Sequence, residues 1–141
     1  MANSVQIASL TLEGARVAAR AAVEAAENAG INVSIAVVDT ATRTKVFFQM
    51  DGALPSAAQV AHEKAVTVIG TGGIPTHRLS ARMQEAPTAL VVSTLKIHQM
   101  QILGGGVPVS VDGQVVGAIG VSGGTAEQDQ ETAEAGATAV Q

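Results

Sequence analysis

Eight of the fifteen glycines fall between positions 104 and 124, and they bracket the clearest hairpin pattern in the chain. Val107 to Val111 and Gln114 to Val121 flank Asp112-Gly113, a pair suited to the positive φ angles of a two-residue type I′ turn. Gly104-Gly105-Gly106 precedes the first of these strands and Ser122-Gly123-Gly124 follows the second. Folding at 112–113 carries both glycine clusters to one end of the hairpin, so two tight loops must meet there. The second strand is apolar or small on both faces, which predicts cover on both sides. A chain built around such a hairpin is a sheet protein with helices laid on it.

The remaining segments fit that frame. Thr11 caps a helix that has Glu13 in its first turn and runs through alanine-rich sequence to Ala29, where Gly30 supplies a left-handed stop. Its alanines allow close approach to a sheet or to a second subunit. Ile31 to Asp39 alternates apolar residues with the period of a strand, and Val46, Phe48 and Met50 do so again after a polar turn. These form an antiparallel hairpin ending at Asp51-Gly52. Pro55-Ser56 opens a second helix to about Ile69, and Pro75-Thr76 a short polar one through Gln84, ended by Pro87. From Thr88 to Leu103 the pattern is ambiguous, with a strand expected over Ile97 to Leu103. Thr125 and Gln128 make a capping box for a last helix that carries four acidic and no basic residues. The expected class is α+β: one domain over 1–141, with an antiparallel sheet of about five strands and helices packed on it.

Composition narrows the function classes. Eight basic against twelve acidic residues, with no Tyr or Trp, offers neither the positive face nor the stacking platforms that nucleic acid needs. The absence of cysteine removes disulfides, thiolate metal sites and cysteine catalysis. No apolar run approaches the roughly 20 residues of a membrane helix, and the N-terminus lacks a signal-peptide pattern, so a soluble cytoplasmic protein is expected. Charged residues are 14% of the chain, well below the roughly 25% usual for soluble domains. Too few charges to cover a monomer point to a homo-oligomer.

Chemistry has few places to reside. The two glycine loops can present backbone N–H groups to a carboxylate or phosphate, or can serve only as sharp turns. His62 lies on a helical face with Ala58, Ala65, Val66 and Ile69, which suits either a core histidine or an iron ligand or base lining a cavity. Lys64 points elsewhere, beside Val60, Ala61 and Val68. It fits a subunit contact with its ammonium in water, or a site poised for an anion. His77 and Arg78 fit a solvated helix start. His98 and Met100 share a face if 97–103 is a strand; both residue types ligate haem iron, but from such a strand at most one could coordinate.

Several stretches together resemble a known family. They are Leu10 to Ala15, Val33 to Asp39, Met50-Asp51-Gly52-Ala53, Lys64 to Thr67, Gly104 to Val109, and Asp112-Gly113 with Val116 to Thr125 and Glu127 to Asp129. In order and spacing they resemble the GlcG/HbpS family of haem-binding (haem-degrading) domains, also found as the C-terminal domain of PduO-type proteins. The resemblance implies a two-layer sandwich of PAS-like shape, assembly into dimers or higher oligomers, and a small cavity near subunit contacts for haem or another small organic ligand. It also implies association with a catabolic pathway. Family patterns fall on Asp51, Lys64, Gly104, Gly105, Gly106, Ser122, Gly123 and Gly124, which are expected to border that cavity. The chain departs from the family at Ala41-Thr42-Arg43, at Gln49 and over 88–103. The leading expectation is a haem- or small-ligand-binding homo-oligomer with His98 or His62 on the iron. In this reading Met100 lies close by, and Lys64 and the glycine loops hold a carboxylate. The alternative is a small cofactor-independent enzyme using Lys64 or His98 as acid/base at a subunit-interface pocket.

Overall fold

The computed structural model describes residues 2–97 and 99–141. In chain order the elements are α1 (Leu12–Ala29), β1 (Ser34–Asp39), β2 (Thr44–Gln49), α2 (Ala57–Gly70), α3 (Thr76–Glu85), α4 (Thr88–Leu95), β3 (Gly106–Val111), β4 (Gln114–Ser122) and α5 (Ala126–Thr138). The strands form one antiparallel sheet in the order β2-β1-β4-β3. The β3–β4 turn has φ of 51° at Asp112 and 77° at Gly113, the left-handed pair that the Asp-Gly sequence predicts.

Local chemistry sets the helix ends. The Thr11 hydroxyl accepts the Gly14 amide at 3.0 Å, and Gly30 closes α1 at φ 70°. The Thr125–Gln128 capping box opens α5 in full. The expected α+β class holds, and the helices divide between the two faces of the sheet. Alternate strand residues point to opposite faces, and here each face has its own core. Val33, Ile35, Val37, Val109, Ile119 and Val121 pack with the alanine stripe of α1 and with Ala133 of α5. Val38 and Ala118 pack with Ala65 and Val68 of α2. The layering is therefore helix, sheet, helix, fuller than the two layers expected, and all six residues of β1 are buried. At Gly120 the α2 backbone lies so close that any β-carbon would collide with the Ala61 carbonyl oxygen.

Among the described residues the sheet has four strands. The one expected over Ile97 to Leu103 is not formed at 99–103, and the positions before it are the helix α4. Gln99 sits at φ 66°, outside the strand region. The segment bonds to a helix instead: the Gln101 amide donates to Thr67 Oγ1 at 2.8 Å, and Thr67 Oγ1 donates to the Gln99 carbonyl at 3.3 Å. The edge strand β2 is guarded by a register irregularity at Lys45, and a bulge with a lysine is a common defence against edge-to-edge pairing.

Candidate functional site

The ends of the sheet strands bring the two glycine loops together. Ser34 of β1 lies between Gln49 of β2 and Ser122 of β4, while Gly106 of β3 pairs with Gly120. The Val121 amide donates to the Gly105 carbonyl at 2.8 Å, which locks one loop onto the strand leading into the other.

Beneath this junction lies Lys64, 2% exposed, reaching from α2. Its Nζ donates to the Val121 carbonyl at 2.9 Å and to Asp129 Oδ2 at 3.0 Å. Asp129, in the first turn of α5, accepts the Gly124 amide on Oδ1 at 2.8 Å. The Gly105 amide donates to Gln130 Oε1 at 3.0 Å, and the Gly106 amide to Thr76 Oγ1 at 2.9 Å. Thus the Gly124 loop holds one of the chain's own carboxylates, the other loop bonds an amide and a hydroxyl side chain, and each of these three amides already has a protein acceptor. Gly105 explains the need for glycine: at φ 126°, a β-carbon there would stand 2.8 Å from Lys64 Nζ.

Burial pulls the Lys64 pKa below the ordinary lysine range; the Asp129 carboxylate opposes that pull without cancelling it. Lys64 is thus neither at the surface with its ammonium in water nor open to an incoming anion. It is a strut between α2, β4 and α5.

The other sequence-selected residues do not all converge on this hub. His62 is half-buried on the outer flank of α2, near Ala58, Val66 and Ile69, which are also half-buried. Met100 is half-buried on the other flank: its neighbours Gln99 and Gln101 bond to Thr67, about 140° round the helix from His62. Asp51 is exposed beyond the end of β2. His98 lies outside the described residues, and the strand that was expected to align it with Met100 is absent at 99–103.

Sequence reasoning missed Asp129, Gln130 and Thr76 as the partners of the loops. The sequence places Asp129 in the first turn of the last helix, where with Glu127 it competes for the helix N-terminus, and within a stretch of the family resemblance, but no local signal pairs it with Lys64. His77, expected in solvent, is exposed and walls a cleft of about 330 Å³ with Ser80, Gly104 and Gln130 beside the hub.

A helix-covered antiparallel sheet whose paired glycine loops meet over a buried lysine–carboxylate pair defines a compact α+β class of domain. Residues 10–138 match the family model for HbpS-like haem-degrading proteins, and the chain belongs to that family. It is 35% identical over 136 residues to a 15.0 kDa protein in the dhaT–dhaS intergenic region of Citrobacter freundii, covering 95% of this chain and 94% of that one. The crystal structure of HbpS superposes with a TM-score of 0.87 at 41% identity, covering 99% of this chain and 95% of HbpS. The crystal structure of a PduOC–haem complex gives a TM-score of 0.85 at 28% identity, covering 94% of this chain and 96% of PduOC.

Proposed function

We propose that this chain is a homo-oligomeric haem-binding protein of the cytoplasm that accompanies a catabolic pathway, with the haem held where copies of the chain meet. The observation that carries the haem reading is the similarity, over nearly the whole domain, to a structure solved with haem. The residues present fit the group in one respect: His62 offers an imidazole on a half-buried apolar flank of α2. Histidine is a common axial ligand of haem iron. That flank is a single wall, so the second wall comes from another copy. Bound haem would supply a redox-active iron, and this chain's residues would supply the imidazole and one apolar wall.

The oligomer reading draws on α4. No side chain of this helix is buried, none is charged, and Leu90, Val92 and Leu95 are each about half exposed, as is Ile97 just past its end. Contiguous exposed apolar surface of this kind marks a protein contact. Acid/base chemistry through Lys64, one of the two residues of the alternative reading, would need its Nζ open to a substrate, whereas that atom is enclosed and bonded to Val121 and Asp129.

The test is a haemin titration followed in the Soret region. The wild type is expected to give a saturable, sharpened band that His62→Ala weakens at least tenfold in affinity. His98→Ala is run beside it, since the sequence names both histidines. A spectrum indistinguishable from free haemin would contradict the haem reading. Loss of the band only in His98→Ala would keep haem and move the iron to that residue.

A further inference from the structure

We propose that the groove between the last turns of α1 and the end of β2 binds an organic ammonium ion carried on an apolar body. The groove has a volume of about 610 Å³ and is lined by Val23, Glu27, Asn32, Phe47, Phe48, Gln49, Met50 and Asp51. That volume is within the range of small-molecule sites, roughly 300–1,000 Å³. Its floor is Val23, Phe48 and Met50, partly buried against the core, and both aromatic residues of the chain line it.

Three features give the groove one sign of charge. Glu27 and Asp51 are exposed carboxylates with no ion-pair partner among the described residues. No lysine or arginine lines the groove. The groove also lies against the C-terminal end of the 18-residue α1, whose last turn has no basic residue to offset the negative end of the helix dipole. A cation over the Phe48 ring and the Met50 thioether, with its charge between the two carboxylates, satisfies all of these together. The same charges oppose the propionates of haem, which separates this groove from the haem reading above.

The probe is 2-phenylethylammonium, added to the intact protein while the Met50 methyl and Phe48 ring resonances are followed by NMR. Its neutral-pH counterpart of opposite charge, 3-phenylpropanoate, is the control. Saturable shifts confined to the groove are expected with the amine and not with the acid. Glu27→Gln and Asp51→Asn should each weaken binding about two- to fivefold, the scale of an exposed ion pair. Raising the salt should weaken it further. Both substitutions are at exposed positions, so the variants should remain folded, which circular dichroism checks. Equal shifts with the carboxylate, unchanged affinity in the doubly neutralised variant, or displacement of the amine by haemin would each overturn the proposal.

Discussion

The ammonium of Lys64 is the residue on which the loop end of the molecule depends. Removing one member of a buried ion pair strands the other, at a cost of about 3–5 kcal/mol. Lys64→Met is therefore expected to lower the unfolding free energy by that amount in urea titrations. The double variant Lys64→Met/Asp129→Asn keeps an oxygen for the Gly124 amide and removes both charges, so it should lose less than the two single changes summed. A loss below about 1 kcal/mol in Lys64→Met would contradict the strut role. A second buried carboxylate sets the acid limit. Asp39 accepts the amides of Ala41 and Arg43 at 2.9 and 3.0 Å and the Arg43 guanidinium at 2.9 Å. Burial pushes its pKa up, but these three donors and the Arg43 charge outweigh burial and hold it below the ordinary 3.8. A carboxylate that ionises more readily when folded contributes stability above 3.8 and loses it as pH falls through its folded pKa. Urea midpoints taken from pH 6 down to pH 2 should therefore fall more steeply in the wild type than in Asp39→Asn. At neutral pH Asp39→Asn should be less stable by about 1–3 kcal/mol. Parallel pH profiles for the two proteins would contradict this assignment.

At the scale of elements, the parts legible in the sequence are those where local chemistry and periodicity agree. The Asp112-Gly113 turn, the Thr11 and Thr125 caps and the alternation in 31–39 each have a local cause; the turn and caps appear where expected, and the strand forms over Ser34–Asp39, three residues later than its expected start. The segment 88–103 has no such cause. Its apolar residues satisfy helix and strand patterns alike, and at Gln99 and Gln101 the backbone is tied to Thr67 by tertiary bonds that no sequence window contains. Lys64 was visible as a lysine among apolar neighbours, yet its partner lies 65 residues away, so its burial was not legible. Helix α4 then carries a prediction of its own. Because none of its residues is fully buried and Val92 and Leu95 are each about half exposed, Val92→Lys/Leu95→Lys should change monomer stability by only about 1 kcal/mol. The same pair should shift the mass measured by light scattering toward that of a single chain. An unchanged mass would remove α4 from the subunit contact.

For the molecule as a whole, helices on both faces of a small sheet leave little room for a ligand inside one chain. The glycine junction that looked open in the sequence is filled by the chain's own lysine, carboxylate and amide side chains. On the proposed reading, ligand chemistry belongs to outer surfaces: the His62 flank of α2 for haem and the acidic groove at β2 for an ammonium ion. The proposed haem site on an outer surface needs a second wall, so the proposal predicts that haem binding and assembly are coupled. The most direct test is size-exclusion chromatography of the haemin-loaded protein, with Soret absorbance and light scattering recorded together. The Soret band is expected to elute with a species of at least two chains, each of 14.1 kDa, and to disappear in Val92→Lys/Leu95→Lys. Haem retained at full occupancy on a single chain, or carried by no protein fraction, would contradict the account.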